Sequence, residues 1–180
     1  MQIYITKLID KLYNSLFDPR YLIYWISTVL IFVFVYLLLK KNKKDKITSF
    51  SISFIVAYYF MVYAYTVLSR YTDTYSIQLV PLWSYIDVLF HHSKLQLLMI
   101  CINLAMLFPI GFLIPFGFKK WKWYHVLLVS TLLSYMVEFS QLLLHKGTFE
   151  LFDDPINNIL GCMIGYCIGK WVYRKCIKRS

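Results

Sequence analysis

Residues 21–39 read YLIYWISTVLIFVFVYLLL, with no charge until Lys40. A helix needs about 20 mostly apolar residues to cross the hydrocarbon core of a bilayer, so this stretch predicts a membrane-spanning helix. Further apolar stretches follow, and we predict spans at residues 21–39, 47–69, 95–118, 123–144 and 156–172. The chain is therefore expected to be an all-α integral membrane protein, a bundle of about five transmembrane helices.

The composition agrees with a membrane protein. Hydrophobic residues make up 59% of the 180 residues and charged residues only 16%, whereas a soluble domain is usually about 45–50% apolar and about 25% charged. The chain holds 14 Phe, 16 Tyr and 5 Trp, far more aromatic residues than a disordered chain carries. These proportions exclude an ordinary soluble domain and an intrinsically disordered protein.

The net charge of +10 is compatible with nucleic-acid binding, but its distribution indicates membrane orientation instead. Thirteen of the 19 basic residues lie at residues 40–46, 119–122 and 170–179, and a five-span chain places these segments on one side of the membrane. The positive-inside rule assigns that side to the cytoplasm. We predict a multi-pass protein of the cell membrane with its N-terminus outside, its C-terminus in the cytoplasm and no nucleic-acid partner.

The first 20 residues differ from the spans, because apolar residues recur there mostly every three or four positions between charged ones. This spacing predicts an amphipathic helix lying on the membrane surface, and a disordered tail is the alternative. The predicted organisation is an amphipathic segment at 1–20, two spans at 21–69, a core with three spans at 70–172 and a basic tail at 173–180.

Polar residues inside spans are costly, and they usually mark function. Ser134, Glu138 and Gln141 follow one another at spacings of four and three, which places them on one helical face. The predicted ligand-binding residues are Arg70, Asn103, Ser134, Glu138, Gln141, Lys146, Asp153, Asp154 and Asn158. We expect these residues to gather in one cavity open to the outside. The alternative is a set of interhelical hydrogen bonds that only stabilises the bundle.

Small and rigid residues shape two of the spans. Gly161, Gly165 and Gly169 recur every four residues, and such a ridge lets another helix approach closely. We predict that they serve helix packing, and a second copy of the chain can also pack there to give a homo-oligomer. Pro109, Gly111 and Pro115 are expected to bend or break the third span.

Several residues of types that bind metals lie in the two outer loops. They are His91, His92, His145, Asp153 and Asp154. No pair has the spacing of a zinc motif, so we predict neither a metal nor a cofactor.

Four motifs stand out in the second half of the chain. Their sequences are IQLVPL at 77–82, NLAMLFPIG at 103–111, SYMVEFSQ at 134–141 and DPINNILG at 154–161. Together they resemble the motifs of the VanZ-like family of bacterial membrane proteins, and the resemblance covers about residues 70–166. The chain departs from the family pattern in having Gln78 for Asn, Leu82 for Phe, and Lys146 where many members carry Arg.

The resemblance implies a protein associated with resistance to the glycopeptide teicoplanin, in a family without a settled catalytic activity. We expect the protein to act through its polar cavity on a membrane lipid or a lipid-linked component of the cell envelope. The alternatives are a membrane enzyme acting on a lipid or lipid-linked cell-wall precursor, a small lipid transporter and a structural or partner-binding module. Glu138 and Asp154 are the candidate catalytic residues of the enzyme, but no known catalytic motif supports it.

Overall fold

A computed structural model describes residues 21–69, 76–146 and 148–176. The predicted amphipathic segment at residues 1–20 and the predicted site residue Arg70 lie outside the described residues. The described elements are α1 (Leu22–Lys41), α2 (Lys46–Tyr63) continued by a π-helical turn (Ala64–Leu68), β1 (Ser76–Gln78), α3 (Trp83–His91), α4 (Lys94–Gly117), α5 (Trp123–Leu143), β2 (Thr148–Glu150) and α6 (Asp153–Cys176).

The prediction of an all-α bundle with membrane-spanning helices is confirmed. Within the described residues, α1, α2 with its π-helical turn, α4 and α5 are long and apolar enough to cross a membrane. With its 24 residues, α6 equals α4 in length, but acidic and amide residues crowd its first turns. The count of five spans is therefore approximate, and the role of α6 as a span stays a prediction.

Two of the basic loops meet at one end of the bundle. The Asp45 carboxylate caps α2 by accepting a hydrogen bond from Thr48 N at 3.1 Å, and it lies 3.2 Å from Lys119 Nζ. The Thr48 hydroxyl donates to Phe116 O at 3.3 Å. The loop after α1 and the loop after α4 therefore lie side by side, as the charge pattern predicts.

The backbones of α4 and α6 are in close contact. A Cβ atom added at Gly161, Gly165 or Gly169 would lie only 1.8–2.2 Å from a carbonyl oxygen of α4. From the other side, a Cβ atom at Gly111 would lie 1.9 Å from Cys162 O. The glycine ridge that the sequence offers to a second copy is thus filled by α4 of the same chain.

Of the two expected effects of the prolines, a bend or a break, the break does not occur in α4. It runs as a single helix from Lys94 to Gly117 with Pro109 and Pro115 inside it. Each proline removes one backbone hydrogen bond, and neighbouring helices can compensate for such a loss within a membrane protein. The close contact with α6 along this part of α4 supplies that support.

A buried apolar core lies between α4, α5 and α6. Its members are Leu107, Ile110, Ile114, Val126, Cys162 and Tyr166. By contrast, α1 packs along α2 and buries none of its residues. The outward apolar side chains of α1 suit contact with lipid.

The opposite end of the bundle carries two paired strands, and we call it the strand end. Strand β1 pairs with β2 in parallel, with Ser76 opposite Thr148 and Gln78 opposite Glu150. The hydroxyl oxygens of Ser76 and Thr148 lie 2.9 Å apart. The pairing joins the two loops that the sequence predicts to lie outside, and strands of three residues are too short for a sequence pattern to reveal.

Replacing Gly161 by Ala tests the contact between α4 and α6. In an unobstructed helix this change stabilises by about 0.5–1 kcal/mol. Here the new methyl group would lie 1.8 Å from Leu104 O, a backbone atom, so the two helices must move apart. We expect Gly161→Ala to destabilise the protein by about 1–3 kcal/mol, measured as a lower thermal unfolding midpoint in detergent.

The matched control is Gly117→Ala. Its Cβ atom would meet the Ile52 side chain at 2.9 Å, and a side chain can adjust more easily than a backbone. This variant should unfold much closer to the wild type. A Gly161→Ala protein as stable as Gly117→Ala would contradict the backbone contact.

Candidate functional site

Three predicted site residues share one buried face of α5. Ser134, Glu138 and Gln141 are only 1%, 2% and 3% exposed. The Ser134 hydroxyl accepts a hydrogen bond from Asn158 Nδ2 at 3.0 Å, and Gln141 Nε2 donates to Thr66 O at 3.1 Å. This face of α5 therefore contacts both α6 and the end of α2.

Strand β2 brings a further carboxyl to the same face. The backbone N–H of Glu150 donates to Glu138 Oε2 at 3.2 Å. Sequence reasoning missed Glu150, because it lies in a loop between two predicted spans. The only sequence feature that could have indicated Glu150 was its closeness to Asp153 and Asp154. In the structure, the pairing of β2 with β1 holds Glu150 against α5.

Asp153 fastens the short helix α3 to the start of α6. Its two carboxylate oxygens accept hydrogen bonds from Leu82 N and Ser84 N, both at 2.7 Å. Leu82 has a left-handed backbone with φ of 60°, which turns the chain into the helix. The first N–H groups of a helix lack helical partners and favour a negative charge. Asp153 thus has a positioning role.

Two more hydrogen bonds tie neighbouring helices to the first turns of α6. Asn103 Nδ2 on α4 donates to Asp154 Oδ1, and the Tyr85 hydroxyl on α3 donates to Asn157 Oδ1. Asn157 is 1% exposed. The start of α6 is therefore the point at which α3 and α4 converge.

Gln141 and Lys146 satisfy the end of α2. The last carbonyl groups of a helix have no partner within it, and a cation near them is favourable. Lys146 Nζ donates to Leu68 O at 2.9 Å, and Gln141 Nε2 binds Thr66 O, so both contact the π-helical turn. Arg70, two residues after Leu68 in the sequence, lies outside the described residues.

The structure therefore gathers most of the predicted site residues at the strand end, with two additions, Glu150 and Asn157. We call this group the polar cluster. Its members are Asn103, Ser134, Glu138, Gln141, Glu150, Asp153, Asp154, Asn157 and Asn158.

The profile of the VanZ/LLP1 family matches residues 50–173. The chain belongs to the VanZ/LLP1 family. The match begins within α2, earlier than the motif resemblance that starts near residue 70, and it contains the whole polar cluster. A comparison with curated proteins found no match, and a comparison with solved structures found none either.

One carboxyl of this VanZ/LLP1 protein has a strongly shifted pKa. Partial burial raises the pKa of Glu150 from its usual 4.5 to about 7, with further contributions from the negative charges of Asp154 and Asp153. The Glu150 carboxyl also lies beside the Asp154 carboxyl and the Ser84 hydroxyl, with which it interacts by hydrogen bonding. Glu150 can therefore gain or lose a proton near neutral pH.

Several polar atoms of the cluster have no hydrogen-bond partner among the described residues. They are Gln141 Oε1, Glu150 Oε2, Asn157 Nδ2 and Asn158 Oδ1. A buried polar atom left in this state costs about 1–3 kcal/mol. Native proteins usually satisfy such atoms through ordered water or a bound group.

Among the described residues, no group of three or more His, Cys, Asp and Glu side chains is placed to hold a metal ion. His91 contacts Asp87 on its own helix, at 3.0 Å from Nδ1 to Oδ1.

The pKa of Glu150 predicts a pH-dependent stability. Because folding raises this pKa, the folded protein holds the proton more tightly than the unfolded chain does. The contribution of Glu150 is then fully present below about pH 4.5 and is lost as the pH rises through about 7. The carboxyl groups of Asp154 and Asp153 act on Glu150, and that of Glu138 accepts its backbone N–H.

Glu150→Gln tests this assignment. The amide keeps the shape of the side chain but cannot ionise, so we expect the fall in unfolding midpoint between pH 5 and pH 8 to become shallower. The control is Lys120→Gln, an exposed change at the opposite end of the bundle, which should keep the slope of the wild type. Parallel curves for Glu150→Gln and wild type would show that another group titrates.

Proposed function

We propose that this protein resides in the bacterial cell membrane, contributes to glycopeptide resistance, and acts through its polar cluster on a lipid or lipid-linked component of the outer leaflet. Membership of the VanZ/LLP1 family supports the link to resistance. The observation that carries the proposal is the convergence of α3, α4, α5, α6 and β2 on one polar cluster. Packing alone does not require so many polar groups in one place.

The strand end is proposed to face the outside of the cell. The opposite end carries the lysine-rich loops at residues 40–46 and 119–122, which the positive-inside rule assigns to the cytoplasm. The N-terminus then lies outside and the C-terminus in the cytoplasm.

Helix α3 supports an action at the lipid interface. On one side, its Ser84 is buried and its Tyr85 hydroxyl binds Asn157 of the polar cluster. On the other, Leu89 and Phe90 are 70% and 74% exposed. An amphipathic helix of this kind lies well at the boundary between headgroups and acyl chains. We infer that outer-leaflet lipids lie next to the polar cluster.

An enzyme acting on a lipid-linked precursor is the second candidate. The observation in its favour is Glu150, because a carboxyl with a pKa of about 7 can serve as a general acid or base at neutral pH. Asp154 beside it would be its partner. This pair extends the candidates named from the sequence, Glu138 and Asp154.

The proposed orientation predicts which end of the bundle is reached from outside. In a chain whose native cysteines are replaced by serine, Ser76→Cys at the strand end should react in intact cells with a membrane-impermeant maleimide. Lys120→Cys at the opposite end should react only after the membrane is permeabilised, and both positions are exposed. The reverse pattern would overturn the orientation.

Teicoplanin susceptibility tests the function. In a sensitive Gram-positive host, we expect the wild-type protein to raise the inhibitory concentration several-fold, and Glu138→Gln at matched membrane abundance to abolish the gain. Lys119→Gln, an exposed change at the opposite end, is the control that should still protect.

The same strains separate the two candidate functions. If the protein is an enzyme, mass spectrometry of envelope lipids and wall precursors should detect a product made by the wild type and missing in Glu150→Gln. Protection with unchanged lipid profiles would favour binding over catalysis. No protection by the wild type would contradict the proposed role in resistance.

A further inference from the structure

We propose that the end of the bundle opposite the strand end binds the phosphate groups of anionic phospholipids. We call this surface the basic face and define it as the basic residues of segments 40–46, 119–122 and 170–175. In the proposed orientation these phospholipids belong to the cytoplasmic leaflet, whose negative surface attracts basic segments next to a membrane helix. The inference goes beyond the proposed function, because it concerns the opposite end of the molecule from the polar cluster.

The three segments of the basic face lie side by side. The salt bridge between Lys119 and Asp45, at 3.2 Å, joins the loop after α4 to the loop after α1. The Tyr166 hydroxyl on α6 donates to Trp121 O at 3.2 Å, so the last part of α6 lies beside the loop after α4. The basic residues of three segments that are far apart in the sequence therefore form one surface.

The lysines of the two loops keep most of their positive charge available to a ligand. All eight lysines at residues 40–46 and 119–122 are exposed. Asp45 is the one acidic residue in the three segments, and it is paired with Lys119. The other seven lysines of these loops have no carboxylate partner among the described residues. An anion that reaches this surface therefore meets several unneutralised charges at once.

Aromatic rings position the cations of α6. Lys170 Nζ donates to the Tyr166 hydroxyl at 3.0 Å and lies 5.1 Å from the centre of the Tyr166 ring. Lys175 Nζ lies 4.4 Å from the centre of the Trp171 ring. Cation–π contacts of this kind hold an ammonium group without neutralising its charge. These two residues thus add fixed positive charge, while the loops supply the ammonium groups that are free to bind.

Exposed aromatic side chains indicate the depth at which the basic face lies. Trp123, Tyr124 and Trp171 are 59%, 46% and 58% exposed, and they lie near the ends of α5 and α6. Tryptophan and tyrosine are enriched at the boundary between the hydrocarbon core and the headgroups. The neighbouring lysines are then at the level of the lipid phosphates.

The shortness of the loops favours a lipid over a soluble macromolecule. Only residues 42–45 separate α1 from α2, and only residues 118–122 separate α4 from α5. Loops of this length keep their lysines close to the helix ends and within the headgroup layer, whereas a nucleic acid or an acidic protein has to be bound above it.

The charge of the face selects among lipids. A lysine ammonium is a compact point charge that binds phosphate well. In a zwitterionic headgroup the phosphate is accompanied by a cation, which the lysines would repel. A phospholipid with a net negative charge lacks that repulsion, and it is the ligand that fits the basic face.

A series of phospholipids with identical acyl chains tests the proposal on the full-length protein. The probes are phosphatidylglycerol, phosphatidylethanolamine and phosphatidylcholine, and native mass spectrometry in ammonium acetate measures how strongly each is retained. We expect phosphatidylglycerol to be retained about tenfold more strongly than either zwitterionic lipid. Raising the ammonium acetate concentration should reduce this difference, because salt screens exposed charges.

Two matched variants assign the preference to the basic face. Lys43, Lys44 and Lys120 are exposed and lie in the two loops. Replacing all three by glutamine should reduce the preference for phosphatidylglycerol to about twofold or less, whereas replacing all three by arginine keeps the charge and should keep the preference. Equal thermal unfolding midpoints without added lipid would show that neither variant alters the fold.

Three outcomes would overturn the inference. Equal retention of phosphatidylglycerol and phosphatidylcholine, or an undiminished preference in the glutamine variant, would refute a phosphate-binding basic face. Strong competition by free glycerol phosphate would show that the ligand is a soluble phosphate and not a lipid. Binding of a short DNA duplex to the protein in zwitterionic nanodiscs would assign the face to nucleic acid instead. None of these outcomes bears on teicoplanin protection through the polar cluster, which is measured separately.

Discussion

The contact between the backbones of α4 and α6 is the constraint on which the rest of the structure depends. Glycines on both helices let carbonyl oxygens of one lie where side chains of the other would otherwise be. This proximity brings Asn103 within hydrogen-bonding distance of Asp154. It also accounts for the continuity of α4 through two prolines, since α6 packs along that part of the helix.

The polar cluster combines structural and functional demands. Asp153 and Gln141 satisfy backbone groups at the ends of α3 and α2, so their removal would disturb the fold as well as any site. Glu150 is different, because its carboxyl keeps an oxygen without a partner and has a pKa close to neutrality. A substitution at Glu150 is therefore a more informative test of function than one at Asp153 or Gln141, since fewer contacts of the fold depend on its side chain.

The helices and one face of the site could be predicted from the sequence, but the geometry of the strand end could not. The spacing of Ser134, Glu138 and Gln141 sufficed to predict a shared face, because helical periodicity is local. Glu150 was not predicted as a site residue, because its position depends on a strand partner about 70 residues earlier in the chain. The hydrogen bonds from Asp153 to the start of α3 could not be predicted either. They require Leu82 to adopt a left-handed backbone, which is uncommon for leucine.

The parallel pairing of β1 with β2 has a consequence for the order of assembly. Ser76 and Thr148 are separated by α4 and α5, two helices that are each long and apolar enough to cross a membrane, so the strands meet only when α5 has returned the chain to the strand end. Until then the backbone N–H of Glu150 cannot reach the Glu138 carboxylate. The strand end is therefore assembled late in synthesis, when β2 has reached β1 and the following helix α6 has packed on α4. A nascent chain stalled before β2 would lack both contacts, so its polar cluster could not form.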